Sequence, residues 1–369
     1  MRGDSNRETG GKAASFTIPY TRYLRPDGTL EGEPPAFARN PKELVPLYRM
    51  MVLTRALDEK AVALQRTGRL GTYASSLGQE AVGVGVASAM QAEDVLVPSF
   101  REQAAQLWRG VRPSEILLYW GGDERGSDFS GPRQDFPVCI PVATHVPHAA
   151  GVALAFQLRN ESRVAVCVTG DGGTSKGDFY EAINIAGAWK VPAVFIVNNN
   201  QWAISVPRSE QTAAETLAQK AIAAGIPGEQ VDGNDVIAVR EATDRAIARA
   251  RDGGGPSLIE AITYRLTDHT TADDARRYRE DAEVSARWKA EPVARLRRYL
   301  VDQGVWTKED EEALLTESSQ TVEQAADEYL ATPAGAVTDM FDFLYAELPA
   351  DLLVQRQAAG SQTDGGGDD

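Results

Sequence analysis

Cysteine and lysine are scarce in this chain, and each scarcity excludes something. The 369 residues include two cysteines, Cys139 and Cys167, standing singly and far apart. That rules out a disulfide framework or a zinc knuckle, and both are expected as small buried apolar residues. Only 8 of the 38 basic residues are lysine, and 53 acidic residues leave a net charge of −15. With nothing to offset phosphate repulsion, no nucleic-acid partner is expected. No segment approaches the ~20 uninterrupted apolar residues of a membrane span. The first residues, MRGDSNRETGGKAASF, lack the apolar core of a secretory leader. No membrane association is expected, and the chain reads as cytoplasmic.

What is present is enough apolar material, 43% of residues, to bury a sizeable core. Residues 1–40 are polar and punctuated by Pro and Gly, and read as an extended or mobile arm. From Pro41, KELVPLYRMMVLTRALDEKAVALQRTG carries apolar residues at three- and four-residue spacing, which predicts a long helix stopping at Gly68. A small-residue helix, AVGVGVASAM, is expected to pack closely on a neighbour. Further on, RVAVCVTG and AVFIVN are short continuous apolar runs, as in strands buried on both faces. They alternate with helices to Lys190, from Thr212 to Ala224 and from Asp235 to Arg251, and with strands EQVDG and SLIEAITYRL. This alternation predicts an α/β fold, a doubly wound parallel sheet with helices on both faces. Residues 41–281 are expected to form that domain, 282–350 a helical region packed on it, and 351–369 an acidic flexible tail.

One stretch carries chemistry. Gly170-Asp171-Gly172-Gly173 follows one strand and Asn198-Asn199-Asn200 ends the next. In an open α/β sheet ligands bind outside the carboxyl ends of the strands. Glycines there let backbone N–H groups approach an anion at a helix start. Asp171 beside a phosphate requires a hard cation between them. Mg²⁺ suits that role, held by one carboxylate, neutral oxygens such as those of Asn200 and the Trp202 carbonyl, and ligand phosphates. Taken alone, Gly-Asp-Gly reads more readily as an ordinary strand-to-helix turn than as a site.

The paired motifs, with AQKAIAAGIPGEQVDGNDVIAV and SLIEAITYRLTDHTTADDARRYR, resemble the alpha subunit of the first, decarboxylating component of 2-oxo acid dehydrogenase complexes. Within that family the chain looks most like the bacterial pyruvate dehydrogenase type. The resemblance implies thiamine diphosphate and Mg²⁺ as cofactors, with Asp171, Asn200 and Trp202 on the metal and Gly172 and Gly173 near the diphosphate. It implies further cofactor contacts at Phe100, Arg101, Ile140, Val142 and His269, with His269 also catalytic. Phe100 stands where the family often has tyrosine. For Ile140 and Val142 plain core packing is an equal expectation, and His145 and His148 are expected to be structural. The resemblance implies that the glutamate activating the cofactor lies on a separate beta subunit, in an α₂β₂ heterotetramer. Its substrate would be a 2-oxo acid, and a lipoyl-bearing acyltransferase would accept the acyl group. A branched-chain or acetoin-type dehydrogenase alpha subunit, or a non-catalytic partner-binding subunit, are the alternatives. Asn198, where branched-chain relatives have arginine, disfavours the branched-chain type.

Overall fold

The computed structural model describes residues 13–363. Six parallel strands form one sheet in the order β1-β7-β8-β4-β3-β2. These are β1 (Tyr20–Thr21), β2 (Val95–Val97), β3 (Ala165–Gly170), β4 (Ala193–Asn199), β7 (Gly228–Asp232) and β8 (Ser257–Ile262). The central strands β3 and β4 are buried along almost their whole length on both faces, as their unbroken apolar sequences require. A two-residue pair, β5 (Trp202–Ala203) and β6 (Val206–Pro207), forms a separate hairpin.

Helices cover both faces. They are α1 (Val45–Arg66), α2 (Glu80–Ala89), α3 (Gln103–Trp108), α4 (Pro113–Trp120), α5 (His145–Arg159), α6 (Gly177–Trp189), α7 (Arg208–Gln211), α8 (Lys220–Ala223) and α9 (Val236–Arg251). One buried layer joins α5 and α6 to the sheet through Ala149, Phe156, Phe179 and Ile183. The opposite layer joins α2 and α9 through Val82, Val86, Val239 and Ile247. The small residues of α2 serve close packing as expected. A Cβ on Gly85 would stand 2.7 Å from a Val239 methyl, so the α2–α9 contact requires glycine there.

Four differences from the sequence expectations have local causes. The helix expected over Thr212–Ala224 is reduced to α8, because Thr212 and Thr216 side chains capture the backbone N–H groups of Ala214 and Gln219. Cys139 is half-buried rather than buried: it lies in the loop before α5, with Sγ 3.2 Å from the Thr144 hydroxyl. Cys167, in β3, is fully buried. Tyr20 and Thr21 of the expected arm pair with Gln230 and Val231 and so add a sheet edge. Part of the expected flexible tail is helical, since α14 (Ala350–Thr363) is built from the good helix formers of ADLLVQRQAA. Before it come α10 (Asp281–Arg287), α11 (Pro292–Asp302), α12 (Lys308–Ala331) and α13 (Asp339–Asp342). The expectations for residues 1–12 and 364–369 lie outside the described residues. Among the described residues no helix is long and apolar enough to cross a membrane.

Candidate functional site

Sheet register creates the site. Gly170 pairs with Asn198 at the last rung between β3 and β4, so Asp171 and Asn200 emerge side by side at the carboxyl edge. The chain then folds back as the β5–β6 hairpin over Gly172. A cavity of about 270 Å³ opens there, lined by Phe100, Arg101, Val142, Asp171, Gly172, Gly173, Asn200, Trp202 and His269, among others. Nine of the ten sequence-predicted site residues therefore meet around one space. Ile140 is outside the lining, at 50% exposed, and Val142 is 44% exposed, so neither is a core packing residue. Two other hollows, of about 290 and 580 Å³, lie behind the His269 loop and among α1, α11 and α12. The larger holds Arg55, which already pairs with Glu80 and Glu291.

Both glycines after Asp171 are required by packing. A Cβ on Gly172 would lie 2.6 Å from that of Ala203, and one on Gly173 would lie 2.5 Å from the Thr169 hydroxyl. The hairpin can approach only because Gly172 is glycine. Its tip is strained, since Ile204 is β-branched yet has φ +56°. Arg265, fully buried, holds this tip by donating to the carbonyl oxygens of Trp202 at 3.4 Å and Ile204 at 2.8 Å.

Asp171 is 2% exposed, and its side-chain donor among the described residues is the Gln211 amide at 3.0 Å. Burial pushes its carboxyl above the usual range. Backbone N–H groups and the distant Arg265 offset part of that cost, but among the described residues no ion pair reaches this buried carboxylate, which suits it to a cation. Asn200 Oδ1 accepts from the Trp202 N–H at 3.2 Å and retains acceptor capacity. Among the described residues no group of three or more His, Cys, Asp or Glu is placed to hold a metal. The donor set fits a hard cation such as Mg²⁺, whose remaining positions go to neutral oxygens and ligand phosphates.

Arg101 brings positive charge to the same cavity. Arg101 Nη1 donates to the Ser75 carbonyl at 2.6 Å, and Nη2 donates to the His269 carbonyl at 2.5 Å and lies 2.9 Å from His269 Nδ1. Burial and the nearby Arg265 lower Arg101 to about 10, so it is still a cation at neutral pH. Burial, Arg101 and Arg265 push His269 down to about 4. Arginine is always a donor, so Nδ1 accepts and Nε2 carries the imidazole proton. Phe100 stacks edge-on against His269, with centroids 6.0 Å apart. The histidine loop is held by Asp273, which accepts from the His269 N–H at 2.9 Å and from the Tyr278 hydroxyl. Asp274 and Arg276 form an exposed pair of small energetic weight. His145 is buried, its Nε2 2.8 Å from the Val168 carbonyl, and His148 packs by Phe136, as structural residues.

Several residues of the site were not legible in the sequence. Gln79, Glu102 and Ile204 line the cavity beside Asn198 of the asparagine run. Glu102 is 5% exposed, and burial pushes its carboxyl up to about 7. Behind the wall, Asp58 on α1 accepts from the Tyr73 hydroxyl, from Ser75 Oγ at 2.7 Å and from the Ser76 N–H at 2.7 Å. It thereby fixes the segment whose carbonyl anchors Arg101. Nothing in SSLGQE or SFREQ signals these roles, which depend on contacts between distant segments.

Residues 48–337 match the family model described as dehydrogenase E1 component. The chain is similar to a 3-methyl-2-oxobutanoate dehydrogenase subunit alpha of Mycobacterium tuberculosis, 42% identical over 96% of this chain and 97% of that protein. It is also similar to a pyruvate dehydrogenase E1 component subunit alpha of Staphylococcus aureus, 43% identical over 85% of each chain.

Proposed function

The chain belongs to the dehydrogenase E1 component family, and from that membership we propose that it is the alpha subunit of a thiamine-diphosphate-dependent 2-oxo acid dehydrogenase of the pyruvate type. The observation that carries this reading is the meeting of Asp171 and Asn200 at the edge of one cavity that Arg101 and His269 also line. Asp171, Asn200 and the Trp202 carbonyl would hold Mg²⁺. Arg101 would neutralise diphosphate charge, and the Gly172 and Gly173 backbone would lie beside it. Phe100 and Val142 give the cavity apolar wall, and Ile140, exposed two residues from Val142, would meet the cofactor's pyrimidine side. Thiamine diphosphate, when bound, supplies the electron sink for decarboxylation. His269, neutral with its proton on Nε2, donates a hydrogen bond from that N–H to substrate oxygen and so orients and stabilises it.

The glutamate that activates the cofactor would come from a beta subunit in an α₂β₂ assembly, and the acyl group would pass to a lipoyl-bearing acyltransferase in the cytoplasm. A branched-chain substrate is the second reading, favoured by 42% identity along 96% of the chain to the 3-methyl-2-oxobutanoate enzyme. Against it, Asn198 is committed to its neighbours, accepting from the Thr263 hydroxyl at 2.8 Å and donating to Gln79. The test is CO₂ release by the chain reconstituted with its beta subunit, on pyruvate and on 3-methyl-2-oxobutanoate. Faster turnover of pyruvate is expected. Preference for the branched acid would select the second reading.

A further inference from the structure

Gln79 is 2% exposed, stands at the N-terminal boundary of α2, and lines the cavity. Neither the metal donors nor the arginine–histidine pair accounts for it. The orientation of its amide follows from its neighbours. Asn198 Oδ1 accepts from the Thr263 hydroxyl at 2.8 Å, so Asn198 faces Gln79 with its Nδ2, 3.1 Å away. Asn200 Oδ1 accepts from the Trp202 N–H, so Asn200 also faces Gln79 with Nδ2, at 3.0 Å. Both neighbours are donors, so the atom between them is Gln79 Oε1. Gln79 Nε2 is left buried without a partner.

A buried amide donor lacking an acceptor is destabilising, and such groups are rare unless a ligand or solvent completes them. A cation cannot complete this one, because the free group is an N–H₂. We propose that Gln79 is a further ligand-binding residue of this cavity, its Nε2 donating to an anionic oxygen of the bound diphosphate while its Oε1 holds the Asn200 amide. The inference rests on the cofactor reading above and deepens it. One side chain then links the anion to the cation: it binds a phosphate oxygen directly and keeps Asn200 turned so that Oδ1, not Nδ2, remains available to Mg²⁺.

The test is calorimetric titration of thiamine diphosphate with Mg²⁺ into the reconstituted alpha–beta pair, using Gln79→Glu and Gln79→Met beside wild type, with folding checked by thermal melting. Gln79→Glu keeps the acceptor for both asparagines and replaces the donor by an oxygen. At pH 8 its affinity is expected to fall by about tenfold or more, as when a hydrogen bond to a charged group is removed. At pH 6, where a protonated carboxyl donates again, its deficit relative to wild type is expected to shrink. Gln79→Met, lacking both functions, is expected to show a loss that varies little with pH. A Gln79→Glu pair that binds as tightly as wild type, or tighter, overturns the inference and assigns the donor to solvent or the position to the cation. A wild-type pair that binds no thiamine diphosphate overturns the cofactor reading and this inference with it.

Discussion

Arg101 Nη2 lies 2.9 Å from Nδ1 of His269 and donates to the backbone carbonyl of the same residue. Burial does most to keep the imidazole neutral, and this cation and Arg265 add to it, so removing the grip should show in part. In Arg101→Met, histidine resonances followed against pH are expected to place His269 above the wild-type value of about 4 but still below the ordinary 6.5, since burial and Arg265 remain. With three histidines in the chain, the signal can be assigned by loss in a His269→Asn variant.

The same lowered value has a stability consequence. The unfolded histidine takes up a proton near 6.5 and the folded one only near 4. As pH falls through that window the unfolded state binds more protons, so stability falls. Chemical denaturation between pH 7 and pH 4 should show a shallower acid loss for His269→Asn than for wild type.

Glu102 titrates in the opposite sense. Its folded value of about 7 lies above the ordinary 4.5, so its contribution is favourable at low pH and is lost as pH rises through 7. Glu102→Gln is therefore expected to raise the melting temperature relative to wild type at pH 8 and to have much less effect at pH 5.

Asp58 supports the arginine from behind. Replacing it by alanine strands the Tyr73 and Ser75 hydroxyls and the Ser76 N–H in a buried space. The expected destabilisation is about 3 kcal/mol or more by denaturant titration. Asp58→Asn should be milder, because its oxygen can serve the two serines and its amide can donate to the tyrosine.

Gly172→Ala brings a methyl to 2.6 Å from the Ala203 Cβ. The β5–β6 hairpin must shift, carrying the Trp202 carbonyl with it. A loss of about 1–3 kcal/mol is expected, as for other overpacked sites, together with weaker Mg²⁺-dependent thermal stabilisation.

The sheet and the cavity edge were legible because β3 and β4 are continuous apolar runs and the Gly-Asp-Gly and triple-Asn signals sit where such runs end. His269 and Arg101 were reached only through resemblance, since a lone loop histidine carries no local pattern. Gln79, Glu102 and Asp58 were invisible for a physical reason. Their roles come from burial and from partners such as Asn198 and Asn200, which lie more than a hundred residues along the chain from Gln79. The short α8 was misjudged because alanine-rich helical propensity outweighed, in sequence, the threonine side chains that cut the helix short.

The most direct test of the central claim is Mg²⁺-dependent binding of thiamine diphosphate to the reconstituted alpha–beta pair, compared with the same pair carrying Asp171→Asn. The structure predicts saturable binding that requires Mg²⁺ in wild type and is abolished in the variant, whose metal-free melting temperature should be unchanged or higher once a buried charge is removed. Binding that survives Asp171→Asn undiminished, or that is indifferent to Mg²⁺, would contradict it.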